Sequence, residues 1–240
     1  MASEYLKWKY RDVQRREEFV MTPEERRKNW WHYHKWHVVI GVLLIALAVY
    51  LVCQALGVGR IKPDYQIAYV GTNPLPDDTA AAIESAFAAL GEDLNGDGQV
   101  VVRLNQHTAV QSADPSAAMS GQVTLMADLV ECESYFFLLE DPEQFQQNYH
   151  ALRRLDGTQQ EDGPWTAEGT YLFWGQCPVL AGLELGKYSY KLLGETVSGD
   201  SGELVSGLYL ARRGFWTDKT TAHPEGCAAL WERLTKGAVS

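Results

Sequence analysis

The sequence predicts an α/β fold: a single transmembrane helix followed by a three-layer α/β outer domain with a mixed, mainly parallel sheet. Three observations carry that expectation. The 21 residues Val38–Val58 (VVIGVLLIALAVYLVCQALGV) contain no charge. Charge changes sign across them, with nine Lys/Arg against six Asp/Glu before and 12 against 25 after. Beyond the span, short β-branched or aromatic runs alternate with stretches whose apolar residues recur at helical spacing, the pattern of an α/β domain.

As a helix, Val38–Val58 would reach about 31 Å, enough to cross a bilayer. A cleaved signal peptide has a shorter apolar core, about 7–15 residues, set nearer the N-terminus. Here 37 residues precede the span, so it reads as a retained anchor. Arg26, Arg27, Lys28 and Lys35 lie just before it, and by the positive-inside rule they place that end in the cytoplasm. The expected layout is a cytoplasmic arm (1–37), a transmembrane helix (38–58), a linker (59–64) and an extracellular α/β domain (65–240). This describes a single-pass protein of the cell membrane, touching lipid through residues 30–58. The acidic outer part lacks the basic face that nucleic acid requires. None of its asparagines opens an N-x-[ST] site, which favours a bacterial envelope over an animal ectodomain. Cys132, Cys177 and Cys227 allow at most one disulfide, and no CxxC spacing is present.

In the arm, Thr22-Pro23-Glu24-Glu25 supplies an N-cap, a proline at the first helical position and a capping-box glutamate. A helix starting there runs on into the span. It carries Trp30, Trp31, Tyr33 and Trp36 at headgroup depth. His32, His34 and His37 share no single helical face, so an interfacial belt explains the stretch better than a metal site. Upstream, Ser3 caps a possible helix with an imperfect apolar stripe of Leu6, Tyr10, Val13 and Val20.

Beyond the linker, Tyr65–Val70 reads as a strand and Asp77–Leu90 as a helix with Ile83, Phe87 and Leu90 on one face. Gln99–Leu104 carries three consecutive β-branched valines and reads as a strand covered on both faces. Asp114-Pro115 opens a helix whose Met119, Val123, Met126 and Val130 recur at helical spacing and are expected in the core. Tyr135–Leu139 is a strand. Asp141-Pro142 caps a helix holding Phe145 and Tyr149. Thr170–Trp174 and Leu204–Ala211 read as strands, and Pro224–Lys236 as the last helix. Asp156–Gly169 and Gly186–Gly202 are rich in Gly, Asp and Ser and read as surface excursions.

Three motifs invite chemistry. In DLNGDGQV, Asp93, Asn95, Asp97 and the Gln99 carbonyl occupy the first four ligand positions of an EF-hand loop, but position twelve is Leu104, not a bidentate Glu. The segment is either a polar turn feeding a strand or a weak calcium site of extracellular type. Gly199-Asp200-Ser201-Gly202, preceded by His107 and Asp114, has the residue order of trypsin-like proteases. Glu203 stands where the oxyanion-hole pattern needs Gly, so a turn is the better reading. Arg212 and Arg213 follow the last strand, where open α/β sheets bind ligands; they are candidate ligand-binding residues, with surface ion pairs as the alternative.

The succession DYQIAYVG, a helix, DLNGDGQVVVRLNQ, a helix and ESYFFLLEDPEQF resembles the extracellular solute-binding proteins of periplasmic-binding-protein-like type II fold, over about Asp64–Tyr149. It is also similar to uncharacterised membrane-tethered proteins of anaerobic Gram-positive bacteria. The outer part suffices for one lobe of such a protein, not two. The resemblance implies the fold and a general binding role, and no particular contact residue. The expected function is therefore a non-catalytic extracellular domain that binds a small molecule or a protein. A structural or assembly subunit of an envelope complex is the alternative, and an envelope hydrolase using Ser201 comes third.

Overall fold

The computed structural model describes residues 21–55, 62–108, 115–159, 165–192, 195–214 and 219–238. The chain divides into two units, Met1–Arg60 and Ile61–Ser240.

In the first unit one helix, α1 (Pro23–Ala55), runs without a break. Its start is the capping box the sequence announces. Glu25 Oε2 accepts from Thr22 N at 2.9 Å and from Thr22 Oγ1 at 3.0 Å, while Glu25 N donates to Thr22 Oγ1 at 3.4 Å. The helix is long and apolar enough to cross a membrane. From Val38 to Ala55 it covers about 27 Å without a charge, close to the hydrocarbon thickness of a bilayer. Trp30, Trp31, Tyr33 and Trp36 are all more than half exposed within this unit. His34 stacks on Trp30 with ring centroids 5.1 Å apart. The expected stripe from Leu6 to Val20 and residues 56–61 lie outside the described residues.

The second unit is built on a five-stranded sheet of order β2-β1-β3-β7-β4. Its strands are β1 (Tyr65–Val70), β2 (Val102–Gln106), β3 (Phe136–Leu139), β4 (Tyr171–Phe173) and β7 (Tyr209–Arg212). β1 pairs in parallel with β2 and β3, while β7 is antiparallel to both β3 and β4. The sheet is therefore mixed in equal parts, and "mainly parallel" holds only for its β2-β1-β3 half.

Alternation along the strands feeds two separate cores. Ile67, Tyr69, Phe136, Leu138 and Leu210 join Ile83 and Phe87 of α2 (Asp77–Leu90) and Leu230, Trp231 and Leu234 of α7 (Pro224–Leu234). Ala68, Val70, Phe137, Leu139 and Ala211 join Leu125 and Leu129 of α3 (Pro115–Glu131) and Phe145 of α4 (Pro142–Tyr149). Asp141 caps α4 as expected, accepting from Gln144 N at 2.9 Å.

Four expectations need correction. The stripe Met119, Val123, Met126 and Val130 is 46–69% exposed and is not core. The buried residues of α3 are Gly121, Leu125, Asp128 and Leu129; the first three each stand two positions after a stripe residue, about 200° round the helix. Second, the strand expected over Gln99–Leu104 forms at Val102–Gln106, because the main chain at Val101 is used by Asp64: Val101 N donates to Asp64 Oδ2 at 2.8 Å and Val101 O accepts from Asp64 N at 2.8 Å. As an edge strand it buries Val102 and Leu104 and exposes Arg103, so only one face is covered. Third, Gly186–Gly202 contains a hairpin of β5 (Lys187–Leu192) and β6 (Glu195–Asp200). Fourth, Leu204–Ala211 is divided between α6 (Ser201–Val205) and β7. A four-residue helix, α5 (Pro178–Ala181), follows β4.

Candidate functional site

β1 hydrogen-bonds to β2 on one side and to β3 on the other, while α2, which follows β1, and α4, which follows β3, contribute to opposite cores. The chain leaving β1 and the chain leaving β3 therefore diverge at their C-terminal ends, the place where open α/β sheets form ligand crevices. A cleft of about 570 Å³ lies there, within the usual range for small-molecule sites. Tyr69, Asn73 to Asp77 and Glu140 line it, together with Tyr188 and Tyr190 of β5 and Leu204 and Leu208 below them.

Its floor is a hydrogen-bonded knot joining the two strand ends. Glu140, the first residue after β3, accepts from the Tyr69 hydroxyl through Oε1 at 2.8 Å, and from Thr72 N and Oγ1 through Oε2, each at 2.8 Å. Burial raises the pKa of Tyr69, and the bond to Glu140 and its charge raise it further, so Tyr69 stays a neutral phenol. Gly71 lies against this knot: a Cβ there would overlap the Tyr69 hydroxyl and the Glu140 carboxylate. The loop beyond is held from the neighbouring strand, since Gln106 accepts from Leu75 N at 2.8 Å and donates to Leu75 O at 3.3 Å.

The hairpin closing the other wall is tied to α2. Ser189 N donates to Asp78 Oδ2 at 3.0 Å. Ser201, fully buried at the start of α6, pairs with Thr79 Oγ1 at 2.9 Å, and Asp200 caps α6 by accepting from Gly202 N and Glu203 N. The protease-like tetrapeptide is thus a helix start that pins the hairpin. His107 lies elsewhere, with Nε2 3.6 Å from Asp128 Oδ2, and Asp114 lies outside the described residues.

Neither arginine lines this cleft. Arg213 has no exposed surface: its Nη2 pairs with Asp128 Oδ1 at 2.7 Å, Nη1 donates to Leu129 O at 2.9 Å, and Nε donates to Ser134 O. Arg212 donates through Nη2 to the carbonyls of Arg154 and Leu155 at 3.0 and 2.8 Å and sits over the Trp231 ring. Both guanidinium groups are held by carbonyls of the fold, Arg213 with the Asp128 carboxylate as well.

The DLNGDGQV segment is an exposed polar turn joining α2 to the β2 strand. Asp93 accepts from Gly96 N at 2.6 Å and Gly98 N at 2.8 Å; Asn95 accepts from Asp97 N, and Asp97 from Gln99 N, each at 2.9 Å. The Gly98 N–H is the main cause holding the Asp93 carboxyl below its usual pKa. Gly96 and Gly98 adopt φ of 76° and 88°, which suits glycine. Beneath the turn, buried Asp64 accepts from Leu94 N and Asn95 N. Among the described residues no group of three or more His, Cys, Asp or Glu is placed to hold a metal ion. The described cysteines, Cys53, Cys132, Cys177 and Cys227, are free thiols.

No protein-family model, curated protein or solved structure matches the chain.

Burial raises the pKa of Asp128, but His107, two bonds from Ser134 and the Arg213 charge outweigh it and hold the carboxyl below its ordinary 3.8. Asp128→Asn should therefore cost the full chain about 3–5 kcal/mol in urea unfolding, the range for breaking a buried pair. Val123→Thr, on the exposed side of the same helix, should change it by less than about 0.5 kcal/mol. Because the folded pKa lies below the unfolded one, the advantage of wild type over Asp128→Asn is complete above about pH 5 and shrinks as pH falls through the folded value. Equal costs for the two substitutions would refute the assignment of buried and exposed faces.

Proposed function

We propose that this is a single-pass membrane protein whose outer part is a three-layer α/β domain that binds a ligand without transforming it. The observation carrying this reading is the cleft at the diverging ends of β1 and β3, walled by an aromatic hairpin and floored by the Glu140 knot. Two cores on alternate residues of the same strands support the three-layer arrangement. The β2-β1-β3 order supports the likeness to a single solute-binding-protein lobe. Ser201, buried against Thr79, gives no support to a hydrolase.

The second reading, an assembly subunit of an envelope complex, is favoured by one observation. Met119, Val123, Met126 and Val130 form an exposed apolar stripe on α3, a feature that marks contact surfaces when neighbouring residues extend it.

The orientation we propose keeps residues 1–37 inside and residues 65–240 outside a bacterial cell. A protease added to intact cells should then degrade Tyr65–Ser240 and spare a tag at the N-terminus; the reverse pattern would overturn the orientation.

Calcium at Asp93, Asn95, Asp97 and the Gln99 carbonyl is a separate proposal. The turn already satisfies those side chains with its own N–H groups, and no glutamate stands at position twelve, so the expected affinity is only about millimolar. At ten times Kd the gain is about 1.4 kcal/mol, or roughly 3–5 °C for a chain of this size. Calorimetry should show that rise between chelator and calcium in wild type and lose it in Asp93→Ala/Asp97→Ala. A wild-type Tm indifferent to calcium would reduce the motif to a turn.

A further inference from the structure

Resting on the reading of the outer domain as a binding module, we propose that its cleft selects a small organic cation with an apolar body. The lining carries two carboxylates, Glu140 and Asp77, and no lysine or arginine. Apart from Asn73, the remaining wall is aromatic and aliphatic. Tyr188 and Tyr190, two apart on one side of β5, hold their rings 18° from parallel with centroids 6.1 Å apart, and Leu75, Leu204 and Leu208 line the same space.

Each part favours a positive charge attached to a hydrocarbon. Aromatic faces attract cations through their quadrupole and accept apolar groups by burial. The Glu140 carboxylate is fixed in place rather than neutralised, because its three donors, the Tyr69 hydroxyl and the N–H and O–H of Thr72, carry no net charge. Oε2 takes two of these bonds and Oε1 one, which leaves Oε1 with acceptor capacity for an ammonium. An anion would meet both carboxylates with no basic group in the lining to offset them. Asp77 and Asp78 also stand in the first turn of α2, where the positive end of the helix dipole would otherwise favour an anion.

The loop bearing Asn73 to Pro76 is fixed by Gln106, and the hairpin by Asp78 and Ser201, so the walls are set before a ligand arrives. A pre-organised wall loses less ordering entropy on binding. Another cleft, of about 400 Å³, is lined chiefly by amides and Asp141 with Phe145 and Tyr149, whose rings meet tilted by 44° with centroids 5.1 Å apart.

Three probes sharing one tert-butyl body test the inference on the full chain in maltoside micelles by titration calorimetry: neohexylamine, neohexyl alcohol and tert-butylacetate. The amine should bind at least tenfold more tightly than the alcohol, and the carboxylate should not bind. Asp77→Asn and Tyr190→Ala change exposed positions, so a fold check by thermal melting should match wild type. Each should weaken the amine at least threefold, and Glu140→Gln at least tenfold. If alcohol and amine bind equally, or the carboxylate binds best, the cation preference is overturned while the binding reading stands. If none of the three binds, both are overturned.

Discussion

The buried Asp128–Arg213 pair is the constraint from which the arrangement of the α/β unit follows. Taking two charges out of water is costly unless their remaining polar atoms are satisfied. Here Asp128 also accepts from Ser134 N at 3.1 Å and Ser134 Oγ at 2.5 Å, while Arg213 binds the carbonyls of Leu129 and Ser134. The pair thus ties the last turns of α3, the turn into β3 and the end of β7, with His107 at the end of β2 alongside. Once Asp128 must point inward, Gly121, Leu125 and Leu129 go in with it, and the Met/Val stripe is turned to the surface. A helix choosing its face by hydrophobicity alone would have done the opposite.

With α3 fixed in that rotation, β3 lies beside β1 in parallel register, Ile67 opposite Phe136 and Val70 opposite Leu139. Their ends fall together, which brings Glu140 within reach of Tyr69 and Thr72. The cleft is therefore a product of topology plus one carboxylate, and the hairpin completes it from a segment far along the chain. Gly71 has a defined part in this: any side chain there would push Tyr69 and Glu140 apart.

Local signals were legible in the sequence. The Thr22–Glu25 box, the Asp141 cap, the strand Tyr65–Val70 and the helix Asp77–Leu90 depend on neighbours within a few residues, and all four form as expected. The DLNGDG turn belongs with them. Features that failed depend on distant partners. Asp128 could be recognised as an inward residue only by knowing that Arg213, 85 positions away, is buried beside it. The first residues of the expected Gln99–Leu104 strand are held by the Asp64 carboxylate. The alternation in KYSYKL was a readable strand signal, obscured by the Gly, Asp and Ser around it. Arg212 and Arg213 showed the right chemistry at the expected end of a strand, but nothing local revealed that carbonyls of the fold claim them. Glu140 carried no motif; only the strand order makes it central.

The most direct test of the α3 rotation is the rate at which its two methionines oxidise. Dilute peroxide applied to the full chain in micelles, followed by peptide mass spectrometry, should modify Met119 and Met126 at rates close to those of an unfolded control, since they are 69% and 46% exposed. Strong protection of both, with oxidation appearing only after denaturation, would place the stripe in the core and contradict the inward position of Asp128.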